Sequence, residues 1–201
     1  SMEEECEKIE KEIMDHYGGR IKAAYGCSLG GSFVSLLIQR KRIHMDHGII
    51  GSSDMDEAGK VMATIQASIV TPIMYKMVHT GTLPKLMKKK IAQMDDSKKK
   101  LVNGFLDMFG LGGSWITKKS IYNQFYSDLV TKVQHNMDVP NTKIHVFYAT
   151  KMGKKYEKRY YTYFKNPDIH RFNMQHEELF CCHGNKWIEE VRNVVIGDVG
   201  L

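Results

Sequence analysis

Six residues, Gly26-Cys27-Ser28-Leu29-Gly30-Gly31, separate two largely apolar runs: Ile21-Lys22-Ala23-Ala24-Tyr25 before them and Ser32-Phe33-Val34-Ser35-Leu36-Leu37-Ile38 after them. The first run has strand length, and the glycines stop it. The second is too long and continuous for a tight loop and suits a buried helix. A strand that turns into a buried helix within so few residues opens a β–α unit. It also sets Ser28, in a Gly-x-Ser-x-Gly pattern, on the corner between them. Glycines at such a corner relieve the crowding that side chains would cause, leaving the serine exposed above the sheet. The plainer alternative is a small-residue turn that contains a serine.

The rest of the chain extends this unit. Residues 3 to 17 place Cys6, Ile9, Ile13 and Tyr17 at helical spacing among charges, and Gly18-Gly19 ends the pattern. Met45 to Ile50 reads as a second strand running into Gly51-Ser52-Ser53. From 55 to 138 helices are expected at Ala58 to Lys76, Leu83 to Met94, Lys99 to Phe109 and Lys118 to Gln134. Strand patterns return at Lys143 to Tyr148 and Ile169 to Phe172, with a helix near Tyr156 to Phe164 between them and another at Lys186 to Val194. Strands alternating with helices predict an α/β fold, with a mostly parallel sheet covered on both faces. Three segments follow: 1–54 with the corner strand, its helix and the next strand; a helical insertion, 55–138; and 139–201, which returns to the sheet. Ligands of such sheets gather at the carboxyl ends of the strands. Ser28, Ser52-Ser53-Asp54, Ala149-Thr150-Lys151 and Gln175-His176-Glu177 fall there.

Composition narrows the function classes. No run approaches the eighteen or so consecutive apolar residues of a membrane span, and the acidic N-terminus is unlike a signal peptide, so a cytoplasmic protein with no membrane partner is expected. Ser1 before Met2 has the look of an expression scar. The four cysteines, Cys6, Cys27, Cys181 and Cys182, are expected as reduced thiols. No second ligand pair completes a metal site around Cys181-Cys182-His183. His44 and His47, at odd separation on a strand, point to opposite faces, so neither a metal nor a cofactor is expected. The net charge of +6 is spread over Lys88-Lys89-Lys90, Lys98-Lys99-Lys100, Lys118-Lys119 and Lys154-Lys155 on separate helices. With no interleaved stacking aromatics, these read as solvated faces rather than a nucleic-acid groove.

A serine nucleophile needs a base, and the chain has nine histidines. His16 precedes the corner, His79 and His135 fall in the helical insertion, and His44, His47, His145 and His170 lie in or beside strands as ordinary partly buried residues. His176 follows the last strand and precedes the final helix, on a loop at the same sheet end as Ser28 and in the chain order Ser then His.

Tyr25-Gly26-Cys27-Ser28-Leu29-Gly30-Gly31, the helical insertion and Met174-Gln175-His176-Glu177-Glu178 before a final amphipathic helix together resemble the later two-thirds of an α/β-hydrolase fold protein with a helical cap. The resemblance implies a serine hydrolase of the esterase type, acting on a small-molecule ester or related acyl substrate. Ser28 would be the nucleophile, His176 the general base and acid, and the Leu29 backbone N–H an oxyanion donor.

Two departures accompany the resemblance. The usual acid position, in Tyr148-Ala149-Thr150-Lys151-Met152-Gly153, holds no carboxylate. Some family members carry the acid one strand earlier, where this chain has Asp54 and Asp56; Asp54, nearer the strand end, is the expected acid, with helix capping as its structural alternative. The family's early strands and the loop giving the second oxyanion donor are also missing before Ile21. An uncovered Ile21–Tyr25 edge would invite pairing with another copy, so a homo-oligomer is expected. The competing function is a catalytically impaired or non-catalytic hydrolase-fold protein used for binding or assembly.

Overall fold

The computed structural model describes residues 1–83, 85–93, 95–110 and 115–197. The described residues form two compact units, one drawn from 1–55 and 132–197 and the other from 56–131.

The first unit is built on four strands, β1 (Arg20–Cys27), β2 (His44–Gly51), β3 (Lys143–Ala149) and β4 (Asp168–Phe172), all parallel and in spatial order β1-β2-β3-β4. Their carboxyl ends therefore share one side of the sheet, which gathers the segments after Cys27, Gly51, Ala149 and Phe172. Among the described residues β1 and β4 are the sheet's edges.

Side chains alternate across each strand, and each face has its own core. On one face, Ile144, Val146 and Tyr148 of β3 pack with helix α1 (Met2–Tyr17), helix α2 (Leu29–Arg40) and Tyr160 and Tyr163, which belong to a later helix, Lys154–Tyr163. On the other, Ile49, Phe147 and Phe172 pack against Leu179 and Val194. Each such side chain contributes about 1.5–3 kcal/mol when fully buried.

Sequence signals account for the helix ends. The α1 helix starts with a reciprocal capping box between Ser1 and Glu4 and ends where Gly18 takes φ 60°. Glu10, on its buried side, accepts from Arg40 at the end of α2, Nε to Oε1 at 2.5 Å and Nη2 to Oε2 at 3.0 Å. This two-pronged pair fixes the first two helices to each other and holds the Arg40 guanidinium firmly charged.

The second unit holds α3 (Lys60–Thr80), α4 (Lys85–Ala92), α5 (Asp96–Gly110) and α6 (Lys118–Val130). Its two ends meet, the Ala58 N–H donating to the Leu129 carbonyl at 2.7 Å. By length and composition alone, α3 is apolar enough to cross a membrane, although Gln66, Ser68, Thr71 and Pro72 interrupt its apolar run.

The expected Lys118–Gln134 helix stops early: Thr131 takes φ −80°, ψ 122°, and the chain turns back to the sheet unit, where the Gln134 N–H donates to Gln39 Oε1 at 2.7 Å. The remaining helices are α7 (Lys154–Tyr163), preceded by a 3₁₀ turn at Thr150–Met152, then α8 (Glu178–Cys182) and α9 (Gly184–Ile196). The five-residue α8 was not expected, because a single turn leaves no periodicity to read.

Candidate active site

Ser28 joins β1 to α2 with φ 54° and ψ −119°, on the positive-φ side that non-glycine residues rarely occupy. Two main-chain bonds hold it there. Its N–H donates to the Gly51 carbonyl at the end of β2 (2.8 Å), and its own carbonyl accepts from the Gly31 N–H (2.9 Å).

The glycines have separate duties. A Cβ on Gly26 would stand 2.7 Å from the Gly31 nitrogen and closer still to the Gly30 carbonyl, so strand and helix meet backbone to backbone. One on Gly31 would meet Ser53 Cβ at 2.7 Å, where α2 lies against the β2 end. Gly30 has nothing within 4 Å of its Cβ direction.

His176 arrives from the far end of the chain. Its loop is pinned by the Lys151 N–H to the Met174 carbonyl (3.2 Å) and by the Glu178 carboxylate, which accepts from the Gln175 N–H (2.7 Å). The result is Ser28 Oγ 3.1 Å from His176 Nε2 across 148 residues of sequence. With His176 neutral and its proton on Nδ1, Nε2 can accept the Ser28 hydroxyl proton. Leu29 is the first residue of α2, so its N–H has no carbonyl one turn earlier in the helix to bond.

Glu177 is a participant that sequence reasoning did not single out. It takes φ 61°, its side chain is 13% exposed, and Oε1 lies 3.7 Å from His176 Nε2, on the same ring nitrogen that faces Ser28. Burial pushes its carboxyl pKa upward, partly offset by the neighbouring His176 and by a bond from Ser28, with the Asp54 charge adding to the rise. Nothing local separates Glu177 from Glu178; its left-handed backbone and burial come from the fold.

Asp54 follows β2 as expected from the strand end. Its main-chain carbonyl accepts from Arg159 Nη1 at 2.7 Å, and its charge acts on Glu177 and Tyr160. The thiols near the corner are subdued, since burial pushes Cys27 and Cys181 up to about 12. Within the second unit Met62 is exposed and Met77 buried, and Met94, the last residue of the expected Leu83 to Met94 helix, lies outside the described residues.

With this geometry in place, solved structures supply a comparison. An alpha/beta hydrolase family protein from Desulfitobacterium hafniense superposes with TM-score 0.72 at 17% identity, over 97% of this chain and 77% of that one. The chain has an α/β-hydrolase fold. A hydrolase from Pseudomonas aeruginosa PA01 matches this α/β-hydrolase fold with TM-score 0.65 at 9% identity, over 98% of this chain and 72% of that one. An esterase from a marine microorganism gives 0.64 at 13% identity, over 95% and 76%. No protein-family model and no curated protein sequence matches the chain.

Proposed function

We propose that the protein is a serine hydrolase that cleaves an ester, thioester or related acyl compound at Ser28. The observation that carries this reading is the strained corner that holds Ser28 Oγ 3.1 Å from His176 Nε2. The esterase among the matched structures agrees with it.

In the reaction, Ser28 Oγ bonds to the acyl carbon as His176 Nε2 takes its proton, and the carbonyl oxygen becomes an oxyanion facing the Leu29 N–H. His176 then gives the proton to the departing alcohol or thiol. Water attacks the acyl-serine by the same path and releases the acid. Asp54 serves as the carboxylate that supports the imidazolium, while Glu177, beside Nε2, favours the charged ring from the serine side.

The second reading, a hydrolase-fold protein kept for binding or assembly, is favoured by one observation. Among the described residues β1 is an edge, so no neighbouring strand on that side offers a second oxyanion donor. The same edge supports a homo-oligomer paired along β1.

A fluorophosphonate probe separates the readings. Labelling that is lost in both Ser28→Ala and His176→Ala supports hydrolysis. Absence of labelling in well-folded protein overturns it in favour of the binding role.

A further inference from the structure

At the opposite end of the sheet from Ser28, three strands bring imidazoles side by side. In the β3–β4 register His145 stands opposite Asp168 and Phe147 opposite His170, so the two histidines and the aspartate lie near the amino ends of their strands. His145 Nδ1 is 3.4 Å from His170 Nε2 and 3.3 Å from Asp168 Oδ2, and the third side, His170 Nε2 to Asp168 Oδ2, is 3.1 Å. Two ring nitrogens and one carboxylate oxygen thus converge on a single point.

The triangle has the proportions of a coordination shell. Ligands held at about 2.0–2.1 Å around a tetrahedral zinc ion stand about 3.3 Å apart, and the three sides measured here scatter about that value. Two imidazoles with one carboxylate suit zinc and its neighbours in the transition series, whereas calcium and magnesium prefer all-oxygen shells.

His47 of β2 adds the outer support that metal-bound histidines usually have. Its Nδ1 lies 3.3 Å from His145 Nε2. If His145 binds through Nδ1, its Nε2 carries the hydrogen and donates it to His47, which fixes both the tautomer and the ring plane. A cavity of about 310 Å³ lined by His145, Asp168, Asp138, Thr142 and Asn166 leaves room for a water as fourth ligand. His145 is buried, whereas the Asp168 side chain is 64% exposed, so one ligand anchors the site and another opens it to solvent.

We propose that His145, His170 and Asp168 bind one divalent transition-metal ion of the zinc class, joining edge strand β4 to β3. The ion would be structural, since it lies away from the strand ends that carry Ser28 and His176. Spacing along a single strand gave no hint of it, because the ligands come from two strands and are aligned only by their pairing.

The test uses the full chain after chelation and dialysis. Calorimetric titration with Zn²⁺ is expected to give about one ion per chain, and Co²⁺ is expected to produce visible ligand-field bands without a thiolate charge-transfer band. Asp168→Asn and His170→Gln should each weaken binding by more than the ~10–100-fold that loss of an outer-shell partner causes. Cys181→Ser with Cys182→Ser should leave it unchanged. Asp168→Asn, at an exposed side chain, carries the test even if His170→Gln does not fold. Absence of binding to folded wild-type protein overturns the site and leaves a hydrogen-bonded His–Asp cluster. A thiolate band, or binding that survives Asp168→Asn, overturns it as well.

Discussion

Gly26 and Gly30 belong to one Gly-x-Ser-x-Gly pattern, yet the structure gives them opposite tolerances to alanine. At Gly26 the added methyl would lie 2.7 Å from the Gly31 nitrogen, against an ordinary contact of 3.4 Å or more. The start of α2 must therefore retreat by about 0.7 Å, and further to clear the Gly30 carbonyl. Overpacked sites cost roughly 1–3 kcal/mol when side chains can yield. Here both parties are main chain, so a loss of about 3 kcal/mol is expected. Gly30, in the first turn of α2 with open space at its Cβ, should gain about 0.5 kcal/mol as alanine through helix propensity. Urea unfolding measures the difference: with a slope of about 2–3 kcal/mol per molar, the Gly26→Ala midpoint should fall by about 1–1.5 M and that of Gly30→Ala should hold or rise slightly. The displacement also takes Ser28 Oγ beyond hydrogen-bond range of His176 Nε2. Fluorophosphonate labelling of Gly26→Ala should then slow by about 100-fold. A Gly26→Ala protein that unfolds at the wild-type urea concentration, or a Gly30→Ala protein that is the less stable of the two, would refute the backbone-contact reasoning.

Three further outcomes are expected. Burial raises the Glu177 pKa, so the native state keeps that proton above the ordinary carboxyl range and loses stability as pH climbs from about 4.5 through the raised value. Glu177→Gln removes this dependence and should gain stability relative to wild type as pH rises above the ordinary carboxyl range; a pH-independent difference in melting temperature would refute it. Burial holds Cys6 at about 11 and Cys27 and Cys181 at about 12, against an ordinary 9, so their thiolate fractions at neutral pH fall by ~100- to 1000-fold. These three should resist alkylation until urea unfolds the chain, and rapid modification of Cys27 in native protein, located by mass spectrometry, would contradict that. If copies pair along β1, light scattering should report an oligomer with slowly exchanging β1 amides; a monomer with rapid exchange there would rule the pairing out.

The parallel sheet was legible in the sequence because each strand is a short apolar run closed by small residues, and each crossover helix has an apolar stripe of its own. The Ser28–His176 approach was legible for a different reason: the corner is a local backbone event that glycines announce, and a parallel sheet delivers every strand end to the same side. Glu177 was not legible. Its burial depends on the loop being pinned by Gln175–Glu178 and Lys151–Met174 bonds, neither of which leaves a pattern in neighbouring residues. The end of α6 was not legible because residues 131–134 have helix-compatible types, while the chain there is needed to reach the first unit, where the Met137 N–H donates to the Tyr163 carbonyl at the end of α7 at 2.8 Å. His145 and His170 looked ordinary one strand at a time; only the register of β3 with β4 makes them neighbours.

The hydrogen bond from Ala58 to Leu129 has a consequence for how this chain can be rebuilt. Because residues 56–131 leave and return at nearly the same place, they form a cassette whose removal requires only a short bridge from Met55 to Lys132. All four strands, Ser28 and His176 lie outside that cassette. A chain shortened in this way still carries all four strands, and cassettes of other sequence can be grafted at the same two residues.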